Sequence, residues 1–82
     1  MKIDAEVKLS DAKANDYGQT YVKVPVDIDY VESESTAINE WVANELEEMF
    51  GGSFCPDTDF TITNMDALIE DIAFDEFESK IN

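Results

Sequence analysis

The sequence predicts a single α+β domain with the element order β-β-α-β-α. Two segments alternate apolar and polar residues with a period of two, which is typical of strands with one buried face. Two later segments repeat apolar residues at helical spacing. A small, mostly antiparallel sheet with both helices packed on one face would bury all of these apolar stripes, and 82 residues suffice for one such domain.

The two alternating segments, residues 2–9 and 21–30, are predicted to be the first and second strands. Residues 10–20 are rich in turn formers and predict a long loop that joins these strands as an antiparallel hairpin. Pro25 has no N–H to donate, so the second strand is expected at a sheet edge or at a bulge.

The first helix is predicted over residues 36–50, with Ser35 or Thr36 as its N-cap. Gly51 or Gly52 then supplies the left-handed conformation that commonly ends a helix. The apolar stripe expected to face the core consists of Ile38, Trp41, Val42, Leu46, Met49 and Phe50.

A short third strand is predicted around Phe60 and Ile62. If it joined the sheet parallel to the second strand, the crossover should be right-handed. Residues 63–66 fit a capping box that begins a second helix, whose apolar stripe comprises Met65, Leu68, Ile69 and Ile72. Beyond Ala73 the apolar residues shift to another face of the helix. The helix is expected either to continue to Lys80 or to break near Phe74, and both are favoured over a final short strand through IAFDEF.

The chain carries 20 acidic residues, five lysines and neither Arg nor His, so its formal net charge is −15. Such a surface repels nucleic-acid phosphates and anionic membranes, since binding either needs basic side chains. It attracts basic proteins. We therefore expect a basic protein surface as the partner, with no direct nucleic-acid binding and no membrane. Because no apolar run resembles an export signal or a membrane span, a cytoplasmic location is expected.

The sequence predicts a non-enzymatic protein without a cofactor. It has no histidine to act as a base and no arginine to clamp a phosphate or carboxylate. Its single cysteine, Cys55, precedes Pro56 and has no histidine partner, so an inert thiol is expected.

Neither a phosphate loop nor a specific metal site is predicted. Gly51 and Gly52 follow a helix and precede no lysine. Residues 57–59 begin like an EF-hand loop, but Thr61, Ile62 and Leu68 occupy positions that the motif reserves for Asp or Asn, Gly and Glu.

The helical acids are the candidate partner-binding residues. Phosphates of one strand recur at roughly 7 Å, which is within the range of carboxylates one to two helical turns apart. Acids on a folded helix could therefore stand in for phosphates. The candidates are Glu40, Glu47, Glu48, Asp71, Asp75 and Glu78.

The chain as a whole, with acidic stretches such as NELEEMF and LIEDIAFDEFESK, resembles a loose class of small acidic inhibitors encoded by phages and mobile elements. That class includes DNA-mimic anti-restriction proteins and some anti-CRISPR proteins, and its members do not share one fold. The resemblance implies a viral protein in the host cytoplasm that occupies the basic nucleic-acid-binding surface of a defence nuclease, such as a CRISPR or restriction complex.

An alternative hypothesis is that the protein is an acidic interaction or regulatory module, and one form of this hypothesis is a homodimer. The charge of such a module would serve solubility or salt adaptation. It rests on aromatic residues that do not all fit one core stripe, and an exposed cluster of them would mark an interface. These residues are Tyr17, Phe54, Phe74 and Phe77. The oligomeric state stays open.

Overall fold

The computed structural model describes the backbone of residues 1–56 and 58–81 and the side chains of residues 1–56 and 58–75. Its elements are β1 (Lys2–Leu9), α1 (Asp11–Tyr17), β2 (Tyr21–Asp27), α2 (Ser35–Phe50), β3 (Phe60–Ile62) and α3 (Met65–Ile81). The α+β class is confirmed. The order is β-α-β-α-β-α, because a helix occupies the connection that was predicted to be a loop.

The sheet has the strand order β2-β1-β3, and β1 pairs antiparallel with both neighbours. The β1–β2 ladder runs from Lys2 opposite Asp27 to Lys8 opposite Tyr21. The predicted antiparallel pairing of the first two strands is confirmed. Strand β3 points in the same direction as β2 but lies on the far side of β1, so the two are not neighbours.

Strand β2 lies at the sheet edge, as Pro25 predicted. The Ile28 N–H donates to the Met1 carbonyl, and backbone hydrogen bonds between β2 and β1 recur at every second residue of β2 from there. Pro25 is one of the residues in between, so its nitrogen points away from β1 and no ladder bond is lost. The Pro25 carbonyl oxygen faces the same open edge, where it accepts a hydrogen bond from Trp41 Nε1 at 3.0 Å.

Helix α1 corrects the prediction of a loop over residues 10–20. The Ser10 hydroxyl accepts from the backbone N–H of Lys13 at 3.3 Å and caps the N-terminus. Gly18, with φ of 70°, ends the helix, and its N–H donates to the Ala14 carbonyl. The residues that suggested turns are therefore the caps of a seven-residue helix.

One face of the sheet carries the core. The inward residues of all three strands join the buried stripes of α2 and α3 in a single apolar cluster, so both predicted helices pack on the same face. Helix α2 lies over β2, whereas α1 and α3 contact β1. The most completely buried large side chains are Val7, Val24, Val26, Ile38, Val42, Leu46, Leu68 and Ile72.

Two details of α2 differ from the prediction. The helix begins at Ser35 with Glu34 as its N-cap, and no side chain caps it, so the assignment of Ser35 or Thr36 was wrong. Gly51 ends it with φ of 76°, as expected.

The buried stripe of α2 is also narrower than predicted at its C-terminal end. Met49 is 49% exposed, Trp41 and Phe50 are half-buried, and Ala43 is buried instead. Met49 follows Val42 by seven residues and so lies on the buried side of the helix, but in its last turn, where it remains exposed.

The predicted capping box of α3 was wrong, because the residues before Met65 bind to β1 instead. Thr63 Oγ1 donates to the Glu6 carbonyl at 3.1 Å. Asn64 Oδ1 accepts from the Glu6 N–H at 2.8 Å, while Asn64 Nδ2 donates to the Asp4 carbonyl at 3.1 Å. The Asn64 amide thus takes the place of a peptide group and extends the ladder beyond β3. The backbone of α3 is helical to Ile81, which confirms that the helix continues to Lys80 and rules out the alternative of a final strand.

The substitution Asn64→Ala is expected to lower the free energy of unfolding by about 1 kcal/mol, because it removes two hydrogen bonds to β1. Urea unfolding measures the effect. Asn44→Ala, at an exposed position of α2, is the matched control and should not destabilise the protein. Equal stability of the two variants would show that the Asn64 bridge adds nothing.

The amino group of Met1 closes the open end of the β1–β2 ladder. It lies 2.7 Å from Asp29 Oδ2 and 3.7 Å from Asp27 Oδ1. The hydrogen bond to Asp29, reinforced by both negative charges, raises the pKa of this amine above its ordinary value. Protonation of the amine is therefore coupled to folding.

For a chain that begins at Met1, this coupling predicts a loss of stability at alkaline pH. Since the folded pKa is raised, the contribution is fully present below the unfolded pKa of about 8 and is lost as pH rises through the folded value. Urea unfolding of the free-amine and N-acetylated chains, compared from pH 7 to 10, isolates it. The stability difference should shrink with rising pH; a constant difference would contradict the coupling.

Candidate functional site

Three of the candidate acids lie on α2, away from the sheet. Glu40 and Glu48 are exposed and Glu47 is half-buried. Residues seven apart lie on nearly the same side of a helix, so Glu40 and Glu47 share one line about 10 Å apart along the axis. The buried residues Val42 and Leu46 occupy the opposite side. The prediction that these side chains point away from the core is met for Glu40 and Glu48, whereas Glu47 is half-buried.

These acids have no cationic partner among the described side chains. Helix α2 contains four glutamates and no basic residue. The ion pairs of the described part of the chain are those of the Met1 amine with Asp27 and Asp29. The carboxylates of α2 are therefore available to a cation from outside.

The acids of α2 also lie at the wrong end for helix stability. The first turn has no acidic residue, while Glu47 and Glu48 occupy the last turn, where there is no basic one. The C-terminus of a helix carries partial negative charge, so anions there are destabilising. Glu45 and Glu48, three residues apart, add like-charge repulsion. Helix stability does not explain the placement of these side chains.

On α3 the candidate acids border the core. Asp71 is exposed and Asp75 is half-buried, three residues beyond buried Ile72. The side of α3 facing directly away from the core carries Glu70 and Phe74, both exposed. The structure thus places Asp71 and Asp75 along the flank of α3. The side chain of Glu78, the third member of this predicted row, lies outside the described residues.

Lysines are concentrated on the opposite side of the molecule. Lys2, Lys8 and Lys23 project from the outer face of the sheet, where all three are exposed. Two of them are matched there with acids: Lys2 stands opposite Asp27 and Lys23 opposite Glu6 in the ladder, while Lys8 stands opposite Tyr21. Opposite charges in such cross-strand pairs are stabilising. Charge is therefore mixed on the sheet face and one-sided on α2.

Sequence reasoning missed this asymmetry, although its signal was present. All three of these lysines fall on the polar phase of the predicted strands, so the strand alternation already assigned them to one face. Lys13 is engaged elsewhere: its Nζ donates to the Ser53 carbonyl at 2.7 Å and lies 4.7 Å from the centroid of the Phe54 ring.

Two of the four aromatic residues behind the homodimer hypothesis, Tyr17 and Phe54, pack inside the domain. Phe54 is only 5% exposed. The Tyr17 ring stacks on Phe50 at 4.6 Å and on Phe54 at 5.8 Å, which fastens α1 to the end of α2. Of the residues in question, Phe74 is exposed, and the side chain of Phe77 lies outside the described residues. Tyr17 and Phe54 therefore do not belong to an exposed aromatic cluster of the kind that the homodimer hypothesis requires.

The described residues contain no group of three or more potential ligands placed to hold a metal ion. Asp59, which belongs to the segment that only begins like an EF-hand loop, has a structural role. Its Oδ2 accepts a hydrogen bond from the Cys55 N–H at 2.7 Å and closes the turn before β3. Asp57 lies outside the described residues. The Cys55 side chain is exposed.

Comparisons with protein-family models, with curated proteins and with solved structures find no match to this chain. Within the described part of the chain, no helix is both long enough and apolar enough to cross a membrane.

Reversing the charge at the end of α2 is expected to stabilise the protein. Glu47→Lys and Glu48→Lys should each raise the free energy of unfolding by about 0.3–1 kcal/mol at low salt, because a cation complements the helix C-terminus. Urea unfolding at low and high salt measures the gain, which salt should reduce.

Glu40→Lys is the matched control, since it changes the net charge equally at a distance from the helix end. It should gain less than either terminal variant. Equal gains at all three positions would attribute the effect to net charge and would contradict a specific conflict at the helix end.

Proposed function

We propose that the protein is a non-enzymatic inhibitor that occupies a basic nucleic-acid-binding surface of a partner protein. In this proposal Glu40, Glu47 and Glu48 of α2 stand in for phosphates, and Asp71 and Asp75 of α3 extend the acidic surface. The partner class that fits is a host defence nuclease, such as a CRISPR or restriction complex, and the site of action is the cytoplasm.

The observation that carries the proposal is the unpaired, one-sided charge of α2. A surface that serves only solubility mixes charges of both signs, as the outer face of this sheet does. Helix α2 instead presents acids without cations, two of them where they oppose the helix dipole. A basic partner would compensate both costs, because its cations would pair with these carboxylates.

A rigid support strengthens the proposal. Ile38, Val42, Ala43 and Leu46 anchor α2 in the core, and the Trp41 indole ties it to the Pro25 carbonyl. Carboxylates on such a helix lose little conformational entropy when a partner binds. Spacings of one to two helical turns are compatible with contacts to Lys and Arg side chains that are arranged for a phosphate backbone.

The decisive experiment is capture of partners from cell lysate with the protein as bait, followed by competition. A specific partner should be a nucleic-acid-binding protein that double-stranded DNA or RNA displaces. Polyglutamate at the same charge concentration should displace it less well, because a random chain lacks the fixed spacing. Retention that ignores nucleic acid would refute the mimicry.

Two triple variants with reversed charges identify the surface that binds the partner. The triple variant Glu40→Lys, Glu47→Lys, Glu48→Lys should weaken binding of the captured partner by about 100-fold or more, since charge-assisted contacts at an interface are worth several kcal/mol together. The control triple variant Asp4→Lys, Asp11→Lys, Asp16→Lys changes the net charge equally at exposed positions outside α2 and α3. It should weaken binding far less. Similar losses in both would assign the attraction to net charge alone.

A further inference from the structure

A cleft of about 420 Å³ lies between α2 and the segment that connects it to β2. Tyr30, Val31 and Glu32 form one wall, and the other wall is the side of α2 that carries residues 37, 40, 41 and 44. Those four positions are spaced as i, i+3, i+4 and i+7, so they lie on one face of the helix. The volume is at the small end of the range found for ligand sites.

Both walls of the cleft are held in place by hydrogen bonds. The Trp41 indole N–H donates to the Pro25 carbonyl, which fixes the orientation of the ring. The backbone N–H of Tyr30 donates to the Asp27 carbonyl at 3.1 Å, and Asp29 in the same turn binds the Met1 amine. Although its backbone is held, the Tyr30 side chain is 79% exposed. A large aromatic ring is thus presented to solvent beside a half-buried indole.

The charge of the cleft selects the kind of ligand. Glu32 and Glu40, both exposed, are its charged lining residues, and neither has an ion-pair partner among the described side chains. Aromatic faces attract cations, and carboxylates bind guanidinium groups through paired hydrogen bonds. Arginine combines planar stacking with bidentate bonding, which makes it a better fit than lysine.

We infer that this cleft receives an arginine side chain of the basic partner, between the Tyr30 and Trp41 rings and against the carboxylates of Glu32 and Glu40. This inference rests on the proposed function, and it adds a specific docking point to a surface that is otherwise a field of charge. A cleft of about 420 Å³ that is lined by seven residues is small, and it suits a single extended side chain.

Trp41 is the one tryptophan of the chain, so its fluorescence reports directly on the cleft. The probe is a blocked Gly-Arg-Gly peptide, titrated at constant ionic strength against the same peptide with neutral citrulline in place of arginine. Arginine should give a saturable change, the corresponding lysine peptide a weaker one, and citrulline none. Equal responses to the arginine and citrulline peptides would overturn the inference.

Two pairs of variants test the walls. Tyr30→Leu and Glu40→Gln should each weaken binding of the arginine peptide by about threefold or more. Tyr21→Leu and Glu6→Gln, at exposed positions on the outer sheet face, should leave it unchanged. Equal effects of test and control variants would overturn the inference.

The cleft and the phosphate mimicry can fail separately. Tyr30→Leu keeps every carboxylate, so its capture of the partner should weaken only if the cleft is used. Unchanged capture by Tyr30→Leu, combined with loss in the triple variant of α2, would overturn the arginine site and leave the proposed function standing. If DNA or RNA does not displace the captured partner, the proposed function is refuted. The peptide titration then still tests whether the cleft binds arginine.

Discussion

Strand β1 holds the domain together, because every other strand bonds to it and to nothing else in the sheet. Strand β2 covers one edge along its whole length, and β3 with the Asn64 amide covers much of the other. The inward side chains Ala5, Val7 and Leu9 form the middle of the core on which the helices rest. A domain of this size has a small stability margin, so a strand on which all pairing depends tolerates little electrostatic strain.

The distribution of charge respects that limit. On the sheet, where strands lie about 5 Å apart, Lys2 and Lys23 stand opposite acids and repulsion is avoided. Unmatched acids are concentrated on α2, which packs over β2 rather than over β1. This arrangement lets a chain with net charge −15 fold around a small core. If the protein is the proposed inhibitor, salt should affect folding and binding in opposite directions: screening would relieve repulsion among the helical acids and weaken their attraction to a basic partner.

The sequence predicted the three strands and the two longer helices, all of which have a recognisable apolar pattern, and missed α1, which has none. Eight alternating residues specify β1, and Pro25 correctly placed β2 at an edge. Helix α1 has seven residues and none of them is buried, so it left no periodic signal beyond its caps, Ser10 and Gly18. The role of Asn64 could not be predicted either, because it depends on β1 backbone groups nearly 60 residues away in the chain.

The candidate site shows the same division. The helical periodicity of the sequence was sufficient to predict that Glu40 and Glu48 face away from the core, since α2 has a well-defined buried stripe. On α3 the fully buried residues are Leu68 and Ile72, and the two described members of the predicted acidic row, Asp71 and Asp75, lie on the flank of the helix. The cleft beside Trp41 combines α2 with a connecting segment that has no period of its own, so sequence spacing gave no sign of it.

The two helices are not equally suited to presenting phosphate-like charge. Four buried residues, the indole bond to Pro25 and the Gly51 cap hold α2 along its length. Among the described side chains, α3 is anchored through Leu68 and Ile72, both in its first half. A carboxylate contributes more to affinity when its backbone is already fixed, because less conformational entropy is lost on binding. In the proposed inhibitor, Glu40, Glu47 and Glu48 would therefore contribute more to the affinity for the partner than Asp71 and Asp75.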